Sequence, residues 1–174
     1  MILKVFKKYI KIFNIFIKIM ENKIKRSGVV TTFHKDSCKD FYCECSEDTG
    51  LFIKEKYFQI NEKIEGEYNS YHPNGSIKEK CTFINNKKEG EFVSYHLNGN
   101  IENKCFYQND LKEGEFVLYY SNGNVNYKCT YHNDLIEGKY ITYQLNGNIW
   151  NICFYQTGKL NGEYISYDLD GNIN

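Results

Sequence analysis

Four residues between positions 34 and 45 are the densest group of metal-ligand types in the chain: His34, Cys38, Cys43 and Cys45. Imidazole and thiolate are donors that zinc takes in tetrahedral sites. The spacing, H-x3-C-x4-C-x-C, is not that of paired zinc knuckles, and a Cys-x-Cys on a strand turns both thiols to one face. Ordinary thiols in an end-capping strand are the expected reading, with zinc as the alternative and no resident metal or cofactor expected. The remaining histidines are His72, His96 and His132. His72 and His96 stand 24 residues apart, but their series continues as Tyr120, Gln144 and Asp168. Such free replacement reads as a solvated surface, because a proton-transfer role needs a matched pKa. No Ser or Cys stands at a recognisable motif spacing from a His and an acid. No Gly-rich stretch has the phosphate-cradling pattern. A non-enzymatic protein is therefore expected.

Two further series recur every 24 residues. Glu65, Glu89, Glu113 and Glu137 precede a Gly, and Glu67, Glu91, Glu115 and Glu163 follow one. They form either an acidic stripe for a basic partner or a solvated rim offset by Lys87, Lys88 and Lys112, whose exposed pairs contribute roughly 0–1 kcal/mol. Cys81, Cys105, Cys129 and Cys153 form the second series. Equivalent strands of stacked hairpins lie two strand spacings apart, about 9–10 Å, whereas a disulfide spans Cα atoms within roughly 7 Å. The ladder therefore reads as small, buried, reduced residues, which places the protein inside the cell, in the cytoplasm. A bond between chains through Cys38, Cys43 or Cys45 stays open. Formal net charge is zero, so no bulk field draws the chain to nucleic acid, and no nucleic-acid partner is expected.

These residues are positioned by one phrase. Gly66, Gly90, Gly114, Gly138 and Gly162 step by 24, as do Gly75, Gly99, Gly123, Gly147 and Gly171. Each period holds two strand-like runs and two turns. Asn74-Gly75, Asn98-Gly99, Asn122-Gly123 and Asn146-Gly147 predict two-residue type I′ hairpins, and Asp170-Gly171 keeps the logic. The other turns, at 85–88, 109–112, 133–136 and 157–160, predict looser connections of three to five residues. One face of the second strand carries Ile77, Cys81 and Phe83 and their equivalents. Its other face turns from Lys78 and Lys80 to Phe106, Trp150 and Phe154. The first strand carries Tyr68, Phe92, Phe116, Tyr140 and Tyr164, then three residues on Tyr71, Tyr95, Tyr119, Tyr143 and Tyr167. That odd offset puts the two rows on opposite faces unless a bulge intervenes. The second row supplies the candidate partner-binding residues, Tyr being favoured at interfaces. The alternative is that these rings pack against one another and the sheet.

The fold class is mainly β: an extended, twisted antiparallel meander of about ten strands built from 24-residue β-hairpins over residues 51–174. An unprotected C-terminal edge would invite pairing with a second copy as a homodimer. Residues 26–50 form a linker or capping segment in which Gly28–Phe33 reads as a strand. Residues 1–25 read as a basic amphipathic α-helix. Lys4, Lys7, Lys8, Lys11 and Lys18 fall in one wedge, and Phe6, Phe13 and Phe16 lie on the broad apolar side. Charges interrupt that run too often for a transmembrane span. Lys residues and Phe rings so arranged are membrane-contact candidates for a helix lying in a bilayer interface. A helix capping the sheet is the alternative, as is a true start at Met20.

The phrase Gly-Glu-(Tyr/Phe)-x-x-Tyr-x-x-Asn-Gly-x-(Ile/Val), looped back by a short polar turn, resembles the MORN repeat, most of all the variant found in bacterial repeat proteins, some of them antitoxin-like. The resemblance covers roughly residues 51–174. It implies a scaffold in protein–protein or protein–lipid contact, often paired as a dimer. The expected function is a non-enzymatic scaffold binding an unknown protein partner, with the N-terminal segment as membrane tether or cap. The alternatives are an antitoxin-like module that neutralises a cognate toxin and a lipid-binding peripheral membrane protein.

Overall fold

A computed structural model describes residues 27–33 and 53–174. They form one eleven-stranded antiparallel sheet in which spatial order is chain order. The strands are β1 (Ser27–Phe33), β2 (Ile53–Ile60), β3 (Lys63–Tyr71), β4 (Ile77–Ile84), β5 (Lys87–Tyr95), β6 (Ile101–Gln108), β7 (Leu111–Tyr119), β8 (Val125–His132), β9 (Leu135–Tyr143), β10 (Ile149–Gln156) and β11 (Lys159–Ser166). The meander expected over 51–174 is thus present, and the strand read at Gly28–Phe33 extends it as β1, paired to β2. The described residues contain no helix. The expected N-terminal helix and its Lys and Phe contacts, like His34, Cys38, Cys43 and Cys45, lie outside the described residues.

The two kinds of turn are exchanged relative to expectation. The short polar turns are the tight ones. Asn85 and Asn86 both take positive φ (53° and 66°), as do Asn109 with Asp110 and Asn133 with Asp134. This is the two-residue I′ geometry, whose twist matches that of the strands it joins. The Asn-Gly turns are instead three-residue loops. In the second, the Gly99 N–H bonds the His96 carbonyl (2.9 Å) and the His96 N–H bonds the Asn100 carbonyl (2.8 Å). Only Gly99 has positive φ (86°), which is a type I turn closed by a glycine bulge. The Asn before the Gly serves through its side chain: Asn98 Oδ1 accepts from the Asn100 N–H at 3.1 Å, an Asx turn. Asn-Gly alone fits both turn types. The polar pair at the other end, where Asn and Asp tolerate the left-handed region, takes I′.

Within each strand pair the aromatic after the Gly sits opposite the Cys of the next strand: Tyr68 and Cys81, Phe92 and Cys105, Phe116 and Cys129, Tyr140 and Cys153. These columns form the core, which lies along one face of the single sheet. Phe92 and Phe116 are 7% exposed, and the four thiols 4–8%. Half-buried Tyr68, Phe83, Tyr107, Tyr131 and Tyr140 pack around them. Phe92 meets Tyr107 edge to face at 5.6 Å, and Phe116 stacks on Tyr127 at 5.5 Å. Such pairs contribute roughly 0.5–1.5 kcal/mol beyond burial. The four thiols are free, as the spacing argument requires. Small Cys opposite large rings lets the aromatic columns close over the strand pair.

Candidate partner-binding face

The residues that could have done chemistry are mostly engaged in turns. Glu65, Glu89, Glu113 and Glu137 each accept the backbone N–H of the turn one repeat on: Asn85 at 2.8 Å, Asn109 at 2.8 Å, Asn133 at 3.0 Å and Thr157 at 2.7 Å. Asp110 and Asp134 reach the other way, accepting from Lys88 N at 2.6 Å and Lys112 N at 2.8 Å. Each tight turn is thus clasped to the preceding repeat from both sides. This row is neither an acidic stripe offered to a partner nor a merely solvated rim, because its carboxylates satisfy turn donors that would otherwise need water.

The histidine series differs from expectation in the same way. His72 and His96 are half-buried rather than solvated. Nε2 of each bonds a backbone carbonyl one repeat on, Tyr95 at 2.8 Å and Tyr119 at 3.0 Å. A carbonyl can only accept, so Nε2 carries the proton. Tyr120 replaces the ring and keeps the bond, its hydroxyl donating to the Tyr143 carbonyl at 2.9 Å. Gln144 Nε2 does the same at the Asp168 carbonyl, 3.0 Å, so any donor of suitable length serves there, while Asp168, the last of the series, instead accepts bonds within its own turn.

His132 is exposed, and its Nδ1 lies 2.8 Å from Glu113 Oε1. The Glu113 carboxyl is held below its ordinary range by the Asn133 N–H first and His132 second. His132 is raised above its ordinary value by its bond to the same carboxylate. The attraction is complete between the lowered Glu113 value and the raised His132 value, and it is lost as pH falls through the first or rises through the second. In the Glu113→Gln variant, the His132 NMR titration should move down towards about 6.5. An unmoved His132 would show that the pair does not form.

The candidate tyrosines lie on the face away from the core. Tyr71, Tyr95, Tyr119, Tyr143 and Tyr167 are all half-buried at strand ends. The expected opposition of the two aromatic rows holds, because the bulge beside each Tyr falls on the neighbouring strand, leaving the alternation of its own strand intact. Lys128 Nζ lies 5.9 Å from the Tyr143 ring. Lys128 pairs across with Ile141, which fixes the side. Here Val93, Val117 and Ile141 form a column beside Lys80, Lys104 and Lys128. An open groove of about 630 Å³ runs past Glu91, Lys104, Phe106, Val117 and Tyr119, and a second of about 350 Å³ past Glu67, Lys80, Val93 and Tyr95. Glu91 and Lys104 pair at 3.5 Å across the first. The hydroxyls of Tyr95, Tyr119 and Tyr143 make no hydrogen bond within the described residues, whereas Tyr120 and Tyr164 each donate one. Phe106 and Trp150 are 54% exposed. Among the described residues, no group of His, Cys, Asp and Glu could hold a metal ion.

Stacked 24-residue hairpins, each meeting its neighbours along the chain, define a linear repeat protein. The chain belongs to the MORN repeat variant family, whose sequence model matches residues 64–85, 88–109, 112–133 and 136–157, just over half of the chain. No curated protein matches the chain. The four matches run from β3 to the β10–β11 turn, so β1, β2 and β11 extend the family unit at both ends.

Proposed function

We propose that this protein is a non-enzymatic, intracellular scaffold that binds a protein partner across the face bearing Tyr95, Tyr119 and Tyr143. The observation that carries the reading is the row of half-buried rings with unbonded hydroxyls on the face away from the core, two of which, Tyr95 and Tyr119, line open grooves. Tyr offers contact area at low entropic cost and a hydroxyl that gains a partner on binding. Glu65, Glu89, Glu113 and Glu137 are engaged in turns, so the tyrosine row is the recurrent aromatic feature left to a partner. Capture from the native cell lysate tests it. Wild type should enrich a partner that the triple variant Tyr95→Ala, Tyr119→Ala, Tyr143→Ala loses, with the variant's far-UV circular dichroism unchanged. Equal enrichment by a folded triple variant would sink the reading.

The basic segment 1–25 is proposed as a tether to an anionic bilayer surface, on its lysine wedge and apolar side. Flotation with anionic liposomes should fail once residues 1–19 are deleted. Retained flotation would assign lipid contact to the sheet instead. Self-pairing along the outer edge of β11 is the corresponding proposal for a homodimer. On that side β11 has the Asn174 N–H on the Ser166 carbonyl, with the Tyr167–Ile173 bridge just beyond. A strict monomer by light scattering at tens of micromolar would exclude it.

A further inference from the structure

The repeat breaks its own rules at one place, where the Asn-Gly-type turns meet β10. At the position held by Lys78, Glu102 and Asn126 stands Trp150, at a register shift of the ladder. Where Asn74, Asn98, Asn122 and Asn146 stand in the other turns, the last has Asp170. Asp168 takes the position of His72, His96, Tyr120 and Gln144. Leu145 and Leu169, 60% and 74% exposed, flank the site. These side chains, with Tyr120 and Tyr167, line an open groove of about 700 Å³. No Lys or Arg lines it. The cross-repeat bond is also imperfect here: Gln144 Nε2 reaches the Asp168 carbonyl at 3.0 Å, but Gln144 Oε1 is buried without a partner. A repeat that abandons its own pattern without a stabilising reason marks function more than construction.

We propose that this groove receives the cationic side chain, arginine or lysine, of a protein partner. Charge and ring complementarity fit the groove to such a group. An indole face is the best aromatic seat for a cation. Elsewhere the chain fills such seats itself: Lys88 Nζ lies 4.7 Å from the Phe92 centroid and Lys112 Nζ 5.0 Å from that of Tyr131. Among the described residues no cation sits over Trp150. Asp170 brings a carboxylate that makes no hydrogen bond or ion pair within the described residues. Asp168 brings a second, held ionised by the N–H groups of Asn172 and Asp170. The leucines give the apolar flanks that a peptide around the cation would cover.

The inference rests on the protein-binding reading but tests separately, because it needs no native partner. Trp150 is the sole tryptophan, so its emission reports this groove alone. Titration of the full chain with N-acetyl-Leu-Arg-Leu-amide should give a saturable change. The same peptide with citrulline, which keeps the shape and loses the charge, should bind about tenfold more weakly. Asp170→Asn restores the residue found in the other four turns and so keeps the fold. It should weaken the arginine peptide about three- to tenfold. Equal affinity for citrulline, an unchanged affinity in Asp170→Asn, or no saturable response up to about 10 mM peptide would each overturn the proposal. If peptide binding holds while the tyrosine variant captures its partner normally, the groove stands and the tyrosine row falls.

Discussion

Replacing Phe116 by alanine should destabilise the protein by about 3–5 kcal/mol, the range for a buried aromatic truncation. The ring is 7% exposed, pairs across with Cys129, stacks on Tyr127 at 5.5 Å and meets Tyr131 edge-on at 5.6 Å. Its cross-strand neighbour is too short to fill the vacated volume, and the flanking rings are held by their own strands, so the cavity persists. The melting temperature should fall by roughly 10 °C. The position of the lesion matters as much as its size. Among the described residues each strand is hydrogen-bonded to the strands before and after it, so damage to β7 weakens the ladder that joins β1–β6 to β8–β11. Urea unfolding followed by Trp150 emission, which reports β10, should separate from unfolding followed by far-UV circular dichroism, which reports the whole sheet. In the wild type the two should coincide. Phe106→Ala, at a ring 54% exposed on the other face, should stay within about 0.5 kcal/mol of wild type. A loss below about 1 kcal/mol in Phe116→Ala would mean that the ring column is not the core.

The contrast between those two phenylalanines was legible in the sequence, and the turns were not. Period-2 alternation put Phe106 on the face away from Cys105 and Phe116 on the face away from Tyr119, the cross-strand register then placing Phe116 with the thiols, and the 24-residue step forced those thiols into a ladder too widely spaced to oxidise. Periodicity is a global constraint, so it survives local error. Turn type is decided by the signs of two or three φ angles, and Asn-Gly satisfies both I′ and the glycine-bulge loop. What distinguishes them is the Asn98 side chain on the Asn100 N–H, an interaction that residue type alone does not select. The glutamate row was visible as a row and misread in role. Its signal was the fixed 20-residue step from Glu65, Glu89 and Glu113 to Asn85, Asn109 and Asn133, which becomes contact only once successive turns are known to stack. The groove at Trp150 was missed for the opposite reason. Its residues are departures from the repeat, and reading a repeat attends to what recurs.

The core thiols and rings make stability fall in alkali. Burial pushes the Cys81 and Cys129 thiols from an ordinary 9.0 up to about 11, against the opposing pull of Lys88 and Lys112 respectively. Cys105 and Cys153 are raised by the same desolvation, Tyr131 goes up to about 12, and Tyr68, Tyr107 and Tyr140 rise too. Between pH 9 and 11 the folded chain therefore keeps protons that the unfolded chain releases. Stability must decline as pH rises there, because the unfolded state binds fewer protons than the native one. The contribution is fully present below about pH 9 and is lost as pH climbs through the folded thiol values, with the tyrosines continuing the decline. The urea midpoint should be flat from about pH 6.5 to 8.5 and fall steeply above 9. Below that point the same shift protects the thiols. At pH 8 the thiolate fraction of Cys81 and Cys129 should be about a hundredfold below that of an ordinary cysteine, so iodoacetamide should label them only as the sheet opens. Cys81→Ala with Cys129→Ala removes two of the titrating groups, so the decline between pH 9 and 11 should become shallower while the later tyrosine part remains. A midpoint that holds level to pH 11, or labelling of Cys81 and Cys129 at the rate of a free thiol, would show that the ladder is open to solvent and does not form the core.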